Sequence, residues 1–274
     1  LEKTRMHDRA LALFDLTDRV AIVTGGAQGI GRGIAENLAL AGASVVVADR
    51  DEAENIECAK AITEASGRAQ AITCDMSKES EINALVESTL STFGQLDIVV
   101  NNAAIYPMST IADMSSTLWD EVLGINLRGV FLLTRAAMPA LKKSGPNGRL
   151  INISSIDTWK SYVGMGHYDA SKGGIEAFTR SCALELAEYG VTANAIAPGA
   201  VKTPGSKTVR GNLAAERGDP NTDQVDAEFA TRIPLGDWAN SDDIGQATAL
   251  LATPAAHYIT GQTIYVDGGL KLTM

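Results

Sequence analysis

The 274-residue chain carries 23 Lys and Arg against 33 Asp and Glu, a net charge of −10, with 45% hydrophobic residues and a mean hydropathy of +0.03. No basic block interrupts that negative charge, so nucleic acid and anionic membrane surfaces are excluded as expected partners and a small-molecule substrate is favoured. No apolar run approaches a membrane span, and the three cysteines, Cys58, Cys74 and Cys182, form no CxxC pair, so reduced buried thiols are expected.

The chain opens Leu1-Glu2-Lys3-Thr4-Arg5 with no apolar signal core behind it, which makes the cytoplasm the default compartment. Residues 1–15 read as an N-terminal extension to a single domain over 16–274, a length that doubly wound and barrel folds reach as one unit. Val20 to Thr24 is a short apolar run, followed by Gly25-Gly26-Ala27-Gln28-Gly29-Ile30-Gly31 and an alanine- and leucine-rich helical stretch to Ala41. Strand, glycine turn and helix form a phosphate cradle: the glycines permit positive φ and close backbone approach, and the helix N-terminus offers N–H groups to a pyrophosphate. The next apolar run, Ser44 to Ala48, ends at Asp49, where a dinucleotide fold places the carboxylate that grips the adenosine ribose. That carboxylate repels a 2′-phosphate, so NAD is expected over NADP; the adjacent Arg50 softens the preference, and Gln28 brings no basic group to the turn.

Further apolar runs fall at Ala69 to Thr73, Leu96 to Val100, Leu150 to Ser154, Thr192 to Ala197 and Gln262 to Val266, with helical patterns between most of them. The expected architecture is α/β, a Rossmann-like doubly wound sheet of seven mainly parallel strands with helices on both faces and a ligand beyond the C-terminal strand ends. Tyr168 and Lys172 stand one helical turn apart, and Ser155 lies thirteen positions before the tyrosine, so a phenol, an ammonium and a hydroxyl can converge. A tyrosine titrates near pH 10, and a neighbouring cation favours its phenolate, so the trio reads as a proton-transfer site with Tyr168 as general base. His7, His167 and His257 have no metal-ligand spacing, and no metal is expected. His167, beside Tyr168, and the segments Ile105-Tyr106-Pro107 and Asp157-Thr158-Trp159-Lys160 are candidate substrate contacts: Tyr106 and Trp159 can stack on a ring, while Asp157, Lys160 and His167 can hydrogen-bond hydroxyls. The polar stretch from about 203 to 233 is too long for an ordinary connection and reads as a substrate lid.

With these motifs in place the sequence resembles the short-chain dehydrogenase/reductase family over about Asp18 to Leu270. Thr24-Gly25-Gly26-Ala27-Gln28-Gly29-Ile30-Gly31 is similar to its glycine signature, and Asn101-Asn102-Ala103-Ala104 to its fourth-strand motif, with alanine where glycine is commoner. The resemblance implies catalytic roles for Asn126, Ser155, Tyr168 and Lys172. Ser155 would hold the substrate oxygen, Lys172 would also bind the nicotinamide ribose, and Asn126 would help hold a water leading protons from the lysine. It further implies cofactor contacts at Asp75 and Met76, at Asn102, Ala103 and Ala104, and at Pro198, Gly199, Val201 and Thr203. It implies a tetramer built through helices over Asp120 to Leu141 and Gly173 to Glu188. The leading expectation is an NAD-dependent oxidoreductase interconverting a secondary alcohol and a ketone, with a sugar, polyol or hydroxylated aryl alcohol as substrate. A 3-oxoacyl carrier protein reductase and a non-catalytic NAD-binding protein are the alternatives.

Overall fold

The structure is a computed structural model that describes residues 7–206 and 222–273. Seven strands, β1 (Val20–Thr24), β2 (Ser44–Asp49), β3 (Arg68–Thr73), β4 (Ile98–Asn101), β5 (Arg149–Ile153), β6 (Thr192–Pro198) and β7 (Thr263–Val266), form one sheet in the order β3-β2-β1-β4-β5-β6-β7. Every neighbouring pair is parallel, so the expected doubly wound sheet is present, with no antiparallel edge among the described residues. The helices are α1 (Asp8–Ala12), α2 (Gly29–Leu40), α3 (Glu52–Glu64), α4 (Glu79–Phe93), α5 (Ser116–Leu123), α6 (Gly129–Ser144), α7 (Gly166–Leu186), α8 (Thr222–Ala230) and α9 (Ser241–Ala252). None of the described helices is long and apolar enough to cross a membrane.

The strands read as continuous apolar runs because both faces of the sheet are covered. Side chains alternate across it: Ala21, Val23, Val45, Val47, Ile98 and Val100 pack against Ile34, Leu38, Cys58, Ile62, Ile244 and Leu251 of α2, α3 and α9. Ile22, Val46, Val99 and Leu150 pack on the opposite face against Ile82, Leu85, Leu132, Leu133, Leu141 and Leu186 of α4, α6 and α7. Burying each Val, Ile or Leu in this way contributes roughly 1.5–3 kcal/mol, which is why a slip in strand register would be costly. The three cysteines are buried, unpaired and pushed up by burial, to about 11 for Cys58 and about 12 for Cys74 and Cys182.

Strand boundaries move by a residue or two from the apolar runs. β4 starts at Ile98, two residues after Leu96, and the Asp97 carboxylate between them accepts from the Val20 N–H and the Ser144 hydroxyl at 2.9 and 2.6 Å. β5 ends at Ile153, and just beyond it the Ser154 hydroxyl donates to Glu176 at 2.9 Å. Within the N-terminal extension, α1 is exposed and burial begins at Leu16. The expected lid at 203–233 lies largely outside the described residues; within it, Pro204 to Ser206 are helical and α8 precedes the buried Ile233.

The sheet order reverses between β1 and β4. Connections from these two strands leave in opposite directions, opening a crevice beyond their carboxyl ends.

Candidate active site

A cleft of about 650 Å³ occupies that crevice. Its floor is the turn after β1, where Gly25 and Gly29 adopt φ of +60° and +53°. At Gly31 a Cβ would lie 1.9 Å from the Gly25 carbonyl oxygen and 2.5 Å from Asn102 Nδ2, so only glycine lets the loop fold this tightly. Asn102 fastens the loop to the end of β4: its Nδ2 donates to the carbonyls of Thr24 and Gly25 at 2.9 and 3.0 Å, and its backbone N–H donates to Thr24 Oγ1 at 3.0 Å. Gln28, at the N-cap of α2, makes no side-chain capping bond. The first turn of α2 therefore presents backbone N–H groups and the positive end of the helix dipole to the cleft through Gln28, Gly29, Ile30 and Gly31.

Asp49 lies to one side at the end of β2. Its Oδ2 accepts from the Ala27 N–H and its Oδ1 from the Asp51 N–H, both at 3.2 Å, which fixes the carboxylate against the loop while it lines the cleft beside Arg50. Asp75 and Met76 close this end. The Asp75 carboxylate accepts from the Ser77 N–H at 2.9 Å and the Ser77 hydroxyl at 2.8 Å, and the first of these does most to hold it below the ordinary carboxylate range. Asn102, Ala103 and Ala104 just after β4, Pro198 at the end of β6, and Gly199, Val201 and Thr203 beyond it complete the wall.

Ser155, Tyr168 and Lys172 meet at the other end of the cleft. Ser155 sits just beyond β5, and the other two share one face of α7 near its start. Lys172 is 2% exposed, its Nζ donates to the Ile153 carbonyl at 2.7 Å, and it lies 5.5 Å from the Tyr168 ring centroid. Burial pushes Lys172 down to about 8, with Asp157 opposing. The Tyr168 phenol is pushed up, first by burial and then by the Asp157 charge, with a hydrogen bond from Ser155 pulling the other way. The sequence expectation that Lys172 holds this phenol down is not met in this arrangement. Desolvation acts on both groups, and the lysine directs a proton at Ile153 rather than at the phenol oxygen.

The remaining candidates separate. Asp157 lines the cleft beside Ser155, and its carboxyl is pushed up to about 6 by burial and by Asp169, against Ser155 and Lys172. Trp159 does not line the cleft; it is 62% exposed, and Lys271 Nζ lies 4.3 Å over its ring and 3.5 Å over that of Tyr265. His167 is also outside the lining. It is fully buried, and its Nδ1 accepts the Tyr168 backbone N–H at 2.9 Å, so the imidazole caps the start of α7 instead of reaching a substrate. Asn126 sits in a π-helical turn, Gly124–Arg128, between α5 and α6. Its Oδ1 accepts from the Ile105 N–H at 2.9 Å, while its Nδ2 donates to the Ile105 carbonyl at 2.8 Å and to Ser171 Oγ at 3.3 Å. That side chain braces the Ile105 segment from a fully buried position, and the geometry does not direct it toward the lysine.

Ile105, Tyr106 and the lid residues Pro204 to Ser206 line the cleft as expected; sequence reading passed over Ile125, Ile156, Met165 and Trp238, which line it too. The apolar ones read as core in the sequence, and nothing near Trp238 marks it. Glu176 was also passed over. Its Oε1 accepts from Ser154 and Thr158, both at 2.9 Å, tying the loop that carries Ser155 and Asp157 to α7.

Comparisons with known proteins converge on one kind of chemistry. A family model described as enoyl-(acyl carrier protein) reductase matches residues 25–271. The short-chain reductase protein NovJ of Streptomyces niveus is 37% identical over 92% of this chain and 94% of its own length. The diacetyl reductase [(S)-acetoin forming] of Staphylococcus epidermidis is 35% identical over 92% of this chain and 98% of its own. A crystal structure of a variant actinorhodin polyketide ketoreductase with NADPH superposes with a TM-score of 0.87 at 34% identity, covering 92% of this chain and 97% of that one.

Proposed function

Because this chain belongs to the short-chain dehydrogenase/reductase family, whose members are oxidoreductases working with a nicotinamide cofactor on CH–OH and ketone groups, we propose that it interconverts a secondary alcohol and a ketone with NAD as cofactor. The observation that carries this reading is the placement of Ser155, Tyr168 and Lys172 at one end of a cleft whose other end is a glycine cradle with a carboxylate beside it. The cradle fits a dinucleotide, since the space a Cβ would take at Gly31 is already filled by the loop's own backbone. Gly25, Gln28, Gly29, Ile30 and Gly31 would hold the pyrophosphate, and Asp49 the adenosine ribose, with Arg50, Asp75 and Met76 around the adenosine. Asn102, Ala103, Ala104, Pro198, Gly199, Val201 and Thr203 would flank the nicotinamide half. When bound, the nicotinamide supplies or accepts the hydride.

The protein's own part is to hold the substrate oxygen and move one proton. A phenol pushed up by burial is protonated at neutral pH, so in ketone reduction Tyr168 donates its proton to the carbonyl oxygen while Ser155 holds that oxygen by a hydrogen bond. In alcohol oxidation the same phenol must first lose its proton, a loss Lys172 would favour on turning its ammonium from the Ile153 carbonyl toward the phenol oxygen. Asn126 and His167 act at one remove, the first through Ile105 and the second through the Tyr168 backbone. A sugar, a polyol or a hydroxylated aryl alcohol remains the substrate class of this reading.

Asp49 supplies the test of cofactor choice. Wild type is expected to use NAD⁺ over NADP⁺ by about 10²-fold in kcat/KM, and Asp49→Ser to shrink that ratio at least tenfold by removing the carboxylate that repels a 2′-phosphate. A wild-type preference for NADP⁺ would reverse the NAD assignment. We also propose a tetramer. Phe131 on α6 and Leu184 on α7 are 42% and 81% exposed, as an unpaired apolar interface requires, and light scattering should give about four times the 28.8 kDa chain mass. A monomer mass at micromolar concentration would end that proposal.

A further inference from the structure

Ser155 does not share an element with the residues it works beside. Tyr168 and Lys172 are carried by α7, whereas Ser155 sits in the loop beyond β5. Its Oγ accepts from the Asp157 N–H at 3.2 Å, which leaves its proton to give to a substrate oxygen. The backbone that follows bonds within its own turn: Thr158 N–H to the Ser155 carbonyl at 3.3 Å, and the Trp159 and Lys160 N–H groups to the Ile156 carbonyl at 2.9 and 3.1 Å. Ile156 packs against Ile233 and Leu270, neither of them on α7. Such contacts shape the turn without fixing it against the helix that carries the phenol.

Glu176 supplies that link. Residues 168, 172 and 176 follow at four-residue steps, so they lie along one face of α7, with Glu176 about 6 Å along the axis from Lys172. Its Oε1 accepts from the Ser154 and Thr158 hydroxyls, both at 2.9 Å. These two residues bracket Ser155, so one carboxylate oxygen grips both flanks of the serine. Each hydroxyl has a single proton and a second acceptor in reach, the Lys172 carbonyl at 3.4 Å from Ser154 Oγ and the Ser155 carbonyl at 3.0 Å from Thr158 Oγ1. The carboxylate is the stronger acceptor and draws both donors. Loss of Glu176 therefore strands neither hydroxyl. The packing of α7 on β5 also keeps its other ties: Asn152 donates to Thr179 at 2.8 Å, and Lys172 to the Ile153 carbonyl at 2.7 Å. What goes is the link between the serine loop and the helix.

We propose that Glu176 is a positioning residue for the reaction: by holding Ser154 and Thr158 it sets the Ser155 hydroxyl against the Tyr168 phenol, so that both address one substrate oxygen. This rests on the oxidoreductase reading above and goes beyond it, since Glu176 itself does not line the cleft. A reacting geometry displaced by about 1 Å loses on the order of 10²-fold in rate, which is the scale of effect open to a residue of this kind.

The test follows NADH absorbance with 2-butanone, 3-hydroxy-2-butanone and acetophenone in wild type, Glu176→Gln, Glu176→Asp and Glu176→Leu, beside NADH affinity from fluorescence titration. Glu176→Leu is expected to lower kcat roughly 10- to 100-fold, with NADH affinity within about threefold of wild type. Glu176→Gln keeps an acceptor oxygen at the same reach and should return turnover to within about fivefold of wild type. Glu176→Asp keeps the charge but stops about 1.5 Å short, so it should be as slow as the leucine variant, and it carries the test if that variant fails to fold. A role confined to stability would lower the unfolding midpoint and leave kcat per folded site unchanged in all three. Turnover within about threefold of wild type in the leucine or aspartate variant, a glutamine variant as slow as the leucine one, or a matching loss of NADH affinity overturns the proposal. Wild type that binds NADH and turns over no ketone would remove the oxidoreductase reading first, and this proposal with it.

Discussion

Replacing Tyr168 with phenylalanine is expected to lower kcat by at least 10³-fold while changing cofactor affinity less than about threefold. Proton transfer by a positioned side chain contributes typically 10²–10⁴-fold, and the cleft offers no second group placed to substitute. Ser155 can hold an oxygen, but its aliphatic hydroxyl is a far weaker acid than a phenol, and Lys172 Nζ points at the Ile153 carbonyl. The ring itself is kept, so its edge-to-face contact with Tyr106, at a centroid distance of 5.8 Å, survives. Stopped-flow and steady-state turnover, beside cofactor titration by fluorescence, separate the two effects. Retained turnover would take the proton-transfer role away from Tyr168, and lost cofactor binding would make the residue structural.

Lys172→Met is expected to cut kcat/KM by about 10²-fold or more, and its signature lies in stability. A buried lysine whose titration is lowered from 10.5 to about 8 binds fewer protons in the folded than in the unfolded protein between those values. Stability contributed by this group therefore rises with pH across that window, and below about pH 8 the folded state carries the full cost of a buried cation. A shift of this size corresponds to something on the order of 3 kcal/mol. The methionine variant escapes this cost but leaves the Ile153 carbonyl without its donor, a loss of about 1–3 kcal/mol, so the two nearly offset at neutral pH. The slope distinguishes them. Denaturant unfolding should show wild type gaining on the variant as pH rises from about 8 toward 10, and parallel curves would contradict a depressed Lys172.

These two residues were legible in the sequence as a pair, because a four-residue helical step leaves little freedom in how they face the cleft. The sheet was legible for a similar reason: strands buried on both faces read as unbroken apolar runs, and seven such runs met seven strands. The boundaries that slipped lie at Asp97 and Ser154, whose side chains bond across 47 to 77 residues of sequence or to Glu176 on a helix packed alongside, and no local pattern encodes those partners. The phenol–lysine electrostatics went the other way from the sequence expectation because spacing says which charges are near but not how deeply they are buried. His167 illustrates the same limit. Adjacency to Tyr168 suggested substrate contact, whereas full burial turned its imidazole onto the helix backbone. Trp159, read as a ring-stacking platform, instead receives Lys271 from the chain's end.

Asp157 lay between these cases. The sequence marked it as a residue able to hydrogen-bond a substrate hydroxyl, and the structure places it in the cleft lining, with its backbone N–H on Ser155 Oγ at 3.2 Å.

Transfer of hydride and a proton to or from a secondary carbinol in this cleft is read by following nicotinamide absorbance with each of NADH and NADPH against a panel of simple and hydroxylated ketones. Oxidation of NADH in preference to NADPH is expected, with at least one ketone turned over. No absorbance change with any ketone, from a folded protein that still binds NADH, would contradict it.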